Sequence, residues 1–297
     1  IGRVFDYVER ARQGRERVID LGAGLRDEAV YASGYRREKD HGYVVISTGC
    51  SNHCAYCLVP YVRGELCLRP PQAIIGEIKA NIARGIKRVT LLGQNVNDYY
   101  YRPKTEDRRP KTEGHPQDSP LEEKPKSIEI DFAQLLKMVS EIEGLKEVGF
   151  ITAHPKNTSG ELFRLMASCS KIKKRLHIPF RSGSDRILAS MKRGYSRREY
   201  LDLVGQYRDI VPGGELFTDV IVGFPGEREQ DFRASYDLML KVRFNAAYIF
   251  KYSPRPHTPA EKMRDDVSPQ EKQRRHSLLL ELQKKISRAD AVPAVLE

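Results

Sequence analysis

Three of the chain's five cysteines, Cys50, Cys54 and Cys57, stand in one short stretch with the spacing C-x3-C-x2-C. Thiolates favour soft metals, and a structural zinc takes four protein ligands, usually arranged as two pairs. Three thiolates in a single loop suit a 4Fe-4S cube, in which three irons are held and the fourth keeps an open face. An open iron can bind a small molecule through nitrogen and oxygen, which turns an electron carrier into a catalyst. Cys50, Cys54 and Cys57 are therefore both the candidate metal ligands and the candidate catalytic residues. The alternative is a zinc site that recruits Cys67, which would make the chain a zinc-stabilised RNA-binding module without catalysis. Cys169 stands alone, and a lone thiol is usually a small buried hydrophobe.

The cysteine loop follows a short apolar run, 43–47, and repeated strand–helix units place their chemistry at that kind of junction. Further strand candidates are 88–92, 147–152, 175–180, 215–222 and 246–252. Most are short apolar runs, as parallel strands covered on both faces require. Helical patterns lie between them. Ile74, Ile78 and Ile82 repeat every fourth residue, and Asp131 is placed to cap a helix carrying Leu135, Leu136 and Val139. Ser196 and Glu199 have the capping-box spacing, a helix follows from about 227 to 242, and a last one runs from 268 to about 288. Six such units predict an α/β fold, a partial (βα)6 TIM-like barrel.

The 297 residues, 40% of them hydrophobic, suffice for one large barrel, and no apolar run reaches the length of a membrane span. Few cysteines, mostly clustered, fit a reducing compartment, so the cytoplasm is expected. A formal net charge of +11 implies an acidic partner, nucleic acid by default. Residues 1–12 read as a helix. Residues 101–128, rich in proline and charge, read as a disordered insertion after the second strand.

The loop and its preceding strand resemble the radical S-adenosylmethionine (SAM) superfamily, and further segments narrow the resemblance to its methylthiotransferases. Those segments are 50–64, Gly93-Gln94-Asn95-Val96-Asn97 within 91–99, 182–188, 191–195, Gly223-Phe224-Pro225-Gly226 within 218–227, and 252–260. The resemblance implies a barrel of the radical SAM type and an open iron that chelates the methionine moiety of SAM. One electron then cleaves SAM to a 5′-deoxyadenosyl radical, and sulfur and a methyl group enter an unactivated C–H bond. Residues 93–97 resemble the branch that methylthiolates C2 of dimethylallyl-adenosine beside the tRNA anticodon. Related branches act on threonylcarbamoyl-adenosine or on a ribosomal protein.

The implied partners are a tRNA anticodon stem-loop and an electron donor such as a flavodoxin or ferredoxin, with no membrane. The family also carries a second 4Fe-4S cluster on an N-terminal domain and a C-terminal TRAM module. Ligands for that cluster are absent from this sequence. On this pattern, residues 1–41 are the end of a truncated N-terminal domain plus linker. Residues 42–265 are the barrel, and 266–297 form a helix leading to a missing TRAM domain.

Several residues are expected to contact SAM. Tyr56 is placed to stack on the adenine. Gln94 and Asn95, at the end of the second strand, can hydrogen-bond the ribose or the methionine head. Lys192 and Arg193 can pair with the SAM carboxylate. Asp219, a carboxylate among apolar neighbours, needs a ligand hydroxyl or an arginine as partner. Arg181 and Ser182 open the Ser-Gly-Ser segment. The family usually has glutamine at the position of Arg181, so a cation there adds charge beside SAM or phosphate. His154 and His177 are expected to face the same mouth.

Overall fold

The computed structural model describes residues 40–103 and 129–291, with side chains through 288. The expected N-terminal helix and linker up to residue 39, and the insertion between 104 and 128, lie outside the described residues. The six expected strands are all present: β1 (His41–Val45), β2 (Arg88–Leu92), β3 (Glu147–Phe150), β4 (Arg175–His177), β5 (Glu215–Val222) and β6 (Ala246–Lys251). They form two three-stranded parallel sheets, β1-β2-β3 and β4-β5-β6. A parallel bridge between Val148 and Ile172 joins the sheets, and Ala153 N–H donates to His177 O across the same seam. The result is a half-closed barrel with strand order 1 to 6.

Helices α1 (Pro71–Ala83), α2 (Phe132–Ser140), α3 (Gly160–Ser168), α4 (Arg197–Ile210), α5 (Glu229–Val242) and α6 (Pro269–Ala291) cover its outer face. Ile74 and Ile78 of α1 are fully buried in the same core as Val44 of β1, as the four-residue repeat requires. The capping residues act as expected. Ser196 Oγ accepts from Glu199 N–H at 3.2 Å while Glu199 returns the bond to Ser196 N–H at 2.7 Å. Asp131 and Gln134 do the same for α2. Each such cap stabilises its helix by about 1 kcal/mol.

A second, smaller core bears directly on the site. Ile187, Met191, Ile221, Phe224, Tyr252 and Ala260 pack around Ala55 in the middle of the cysteine loop. Among the described residues, no helix is long and apolar enough to cross a membrane.

Candidate active site

The cysteine loop leaves β1 through Gly49, whose φ of +71° lies in the left-handed region that side chains disfavour. It is pinned at both ends and in the middle. Cys50 N–H donates to Gly64 O at 3.4 Å, and Ser51 Oγ bonds to Asp98. Ala55 is clamped from two sides, its N–H donating to Met191 O at 2.9 Å and its carbonyl accepting from Ala260 N–H at 2.8 Å. Beneath the loop, Arg69 is buried with Glu77 at 2.7 Å and donates to Val45 O at 2.6 Å, fixing the end of β1. So held, the three cysteines line one cavity. Each sulfur accepts a hydrogen bond: Cys50 from Asn52 N–H at 3.4 Å, Cys57 from Val59 N–H at 3.5 Å, and Cys54 from Arg193 Nη1 at 3.1 Å. Burial pushes the Cys50 and Cys57 thiols above their usual range.

The opposite wall comes from residues just past the ends of β2, β3 and β4: Gln94, Asn95, His154 and Arg181, with Tyr56 and Arg193 beside them. Asn95 is buried and both of its amide atoms lack a partner. His154 Nδ1 accepts from Lys156 N–H at 3.2 Å, which leaves the proton on Nε2, and Nε2 is buried without a partner. Burial, then repulsion from Arg193 and Lys156, lowers the His154 pKa to about 3, so the ring is a neutral donor at physiological pH. Burial likewise raises Tyr56 to about 12. Arg193 is buried, and besides Cys54 it reaches Tyr195 Oη at 3.1 Å and Pro179 O at 3.4 Å.

Arg181 sits at φ +64°, held there by backbone bonds on either side to Asp219 O and from Ile221 N–H. Its Nη2 lies 3.1 Å from Asp219, its Nε is buried and unpartnered, and its guanidinium carbon is 5.8 Å from the Tyr56 ring centre. Asp219 thus has the arginine partner its burial requires. It also accepts from His177 Nε2 at 2.8 Å. Burial alone would raise its pKa, but His177 and Arg181 outweigh burial and hold it below the usual carboxylate range.

Nine of the sequence-predicted residues therefore meet at one cavity: Cys50, Cys54, Cys57, Tyr56, Gln94, Asn95, His154, Arg181 and Arg193. Four do not line it, and one of them, His177, expected at the same mouth, lies instead on the far side of Asp219 with its ring bonded to that carboxylate. Asp219 reaches the cavity only through Arg181. Ser182 is buried in the turn, its Oγ accepting from Ser184 N–H at 3.3 Å. Lys192 is exposed, because at φ +55° the chain turns Arg193 inward and leaves its neighbour in solvent. Asn97 serves the backbone, bonding both N–H and C=O of His154. Sequence reasoning missed Asn52 and Thr152. Thr152, a β-branched residue at φ +74°, lies on the wall where β3 gives way to the loop.

Three thiols of one loop lining one cavity are the donor set that a 4Fe-4S cluster with an open iron takes. Among the described residues, no three histidine, cysteine or acidic side chains converge closely enough to hold one metal ion. Cys67 pairs with Thr48 in a short antiparallel ladder and does not line the cavity. The cavity encloses only about 90 Å³, so its case rests on chemistry. Three sulfurs face unpartnered amide, imidazole and guanidine groups, and leaving such groups buried and unmet costs about 1–3 kcal/mol each.

A half-barrel of parallel strands with a three-cysteine loop after its first strand defines a class of enzymes that use SAM and an iron–sulfur cluster. The model of the radical SAM superfamily matches residues 44–239, and the chain belongs to that superfamily. Its cofactors are a 4Fe-4S cluster and SAM. Among curated relatives, tRNA-2-methylthio-N(6)-dimethylallyladenosine synthase from Desulfosudis oleivorans is 39% identical over 97% of this chain and 57% of its own length. The protein of the same name from Geobacter sulfurreducens is 44% identical over 83% of this chain and 50% of its own. The chain spans about half the length of these relatives. Among solved structures, coproporphyrinogen III oxidase from Escherichia coli, described as a radical SAM enzyme, matches 88% of this chain and 56% of its own. The TM-score is 0.57 at 13% identity, a likeness of fold alone.

Proposed function

We propose that this chain is the catalytic core of a tRNA methylthiotransferase acting at C2 of a dimethylallyl-modified adenosine beside the anticodon. The observation that carries it is the three-sulfur cavity walled by unpartnered polar groups, in a chain that is 39–44% identical, over the stretches matched, to relatives bearing that name. In this reading Cys50, Cys54 and Cys57 hold the cluster. When bound, the cluster supplies the electron and SAM the radical and methyl chemistry that make the C2–H bond reactive.

The chain's own residues bind, orient and exclude water. Arg193 and Arg181 bring two positive charges to the cavity against one carboxylate, Asp219, and so favour the carboxylate of SAM. Asn95 and the Nε2–H of His154 offer hydrogen bonds to its methionine head or ribose, and Tyr56 offers a ring for its adenine. Ser182 and Asp219 act from behind, through the turn and through Arg181. Lys192, being exposed, is left for contact with phosphate. The partners are a tRNA anticodon stem-loop and a small electron donor such as a flavodoxin or ferredoxin, and the compartment is the cytoplasm.

Mass spectrometry of tRNA nucleosides from cells with and without the gene tests this reading. Loss of the methylthio group from dimethylallyl-adenosine, with accumulation of its precursor, is expected. Loss of a methylthio group from threonylcarbamoyl-adenosine or from a ribosomal protein instead would move the acceptor to a related branch.

A further inference from the structure

The half-barrel holds a second, larger cavity of about 240 Å³ inside its lumen, lined mostly by residues of the strands themselves, Tyr43, Thr90, Gly149, Phe217 and Tyr248 among them. Asp219 stands between the two cavities, bonded to His177 on the lumen side and to Arg181 on the cysteine side. The cavities differ in one physical respect. The cysteine cavity presents buried polar atoms with no partner. In the lumen the charged and imidazole groups already have partners. Lys173 is 2.8 Å from Glu147, His41 bonds Thr90 at 2.8 Å, and His177 bonds Asp219. Arg175 lies 3.8 Å from Glu215 and covers the Phe217 ring at 3.8 Å.

What the lumen leaves unmet is apolar. Ile151, Tyr248 and Phe250 are among the few exposed large hydrophobic residues of the described part of the chain. Ile151 and Tyr248 line the cavity, and Phe250 stands two residues further along the same face of β6. Ile249, on the other face, is buried beneath α6. A wall of this kind, with its polar groups satisfied and its rings and branched chains exposed, takes an apolar guest. The volume is below the usual ligand-pocket range of about 300–1,000 Å³, which suits a substituent rather than a whole nucleoside.

We infer that the lumen cavity binds the branched five-carbon group on N6 of the substrate adenosine, with Tyr248, Ile151 and Phe217 as its walls. The inference rests on the proposed substrate and adds the place where its apolar tail is read. C2 and C6, the carbon that bears N6, flank N1 on one edge of the adenine ring, so the C2–H bond and the N6 substituent diverge. A base whose C2 faces the cysteine cavity therefore turns its N6 substituent sideways out of that cavity, and on the Asp219 side that direction leads to the lumen.

The test is RNA binding by the purified protein with its cluster reconstituted and SAM present. The probes are anticodon stem-loops carrying adenosine, N6-dimethylallyl-adenosine or N6-threonylcarbamoyl-adenosine at the target position. The wild type is expected to prefer the dimethylallyl loop over plain adenosine by about tenfold or more. Tyr248→Ala, which removes a wall, and Ile151→Trp, which fills the space, should each bring that ratio close to one. Tyr248→Phe should keep it. The readout is a ratio of affinities, so a partly unfolded preparation does not mimic the result.

Equal binding of the plain and dimethylallyl loops by the wild type overturns the inference and leaves the tRNA reading standing. So does a preference that survives both variants. Tighter binding of the anionic threonylcarbamoyl loop overturns it too, because Lys173 and Arg175 would then be reading charge. Binding of none of the loops refutes the tRNA reading itself, and the inference falls with it.

Discussion

Gly49 and Gly64 have nearly the same φ, +71° and +74°, and lie at the two ends of the loop that presents the cysteines. Replacing either by alanine places a side chain at a positive φ that favours glycine, at a cost of about 1–3 kcal/mol. The spaces around them differ. A Cβ on Gly49 would stand 2.0 Å from Glu65 O and 2.6 Å from Gly64 O, whereas a Cβ on Gly64 meets nothing within 4 Å. The atoms in the way at Gly49 are backbone, so no side chain can swing aside, and the loop must retreat by about 1 Å to reach a tolerable contact. Metal and catalytic sites tolerate about 0.5 Å.

Gly49→Ala should therefore lose most of its iron and sulfide on anaerobic reconstitution, together with the visible charge-transfer absorption that thiolate-bound iron gives. Gly64→Ala should lose about 1–3 kcal/mol of stability in urea and keep its cluster. The assay is iron per chain in both variants, alongside their denaturation midpoints. Wild-type iron content in Gly49→Ala would refute the argument. Equal loss in both variants would show that backbone strain, and not the blocked space, sets the loop.

Other outcomes follow from the walls of the cavity. Arg193→Met removes a buried cation bonded to Cys54, Tyr195 and Pro179. Charge-assisted bonds contribute about 1.5–3 kcal/mol each, so SAM affinity should fall by about tenfold or more in equilibrium dialysis, and unchanged affinity would remove Arg193 from the site. Folded His154 titrates near 3 against an unfolded value of 6.5, so the unfolded chain binds more protons between those values and stability falls as pH drops. The loss is about 2 kcal/mol at pH 5 relative to neutral, and His154→Gln should flatten that part of the urea-midpoint profile of cluster-free protein. Asp219→Asn weakens the hold on both Arg181 and His177, so SAM should bind less tightly while Tyr248 variants leave that affinity alone. A fall in SAM affinity with Tyr248→Phe would mean that the two cavities are not separate.

The strands were legible because parallel strands buried on both faces read as short apolar runs, and 88–92 and 215–222 match the structure to the residue. The ends of β3 and β4 were not. The apolar pattern continues to Thr152 and Phe180, but the ladder stops at Phe150 and His177 because the chain there turns to build the cavity wall. At the site, the cysteines and the residues after each strand were legible from spacing and position. The choice between Lys192 and Arg193 was not, since adjacent residues differ only in which way a left-handed turn sends them. The lumen cavity was also hidden. Whether His41 or Lys173 has a partner depends on Thr90 and Glu147, brought close only by the barrel's register.

Mössbauer spectroscopy of the iron-57-reconstituted protein, with and without SAM, tests the central claim most directly. The expected result is one four-iron cluster per chain, in which SAM alters the signal of a single iron while the other three stay as they were. Cys54→Ala should abolish the spectrum. A chain that takes up one zinc in place of iron, or a four-iron cluster indifferent to SAM, would contradict the account.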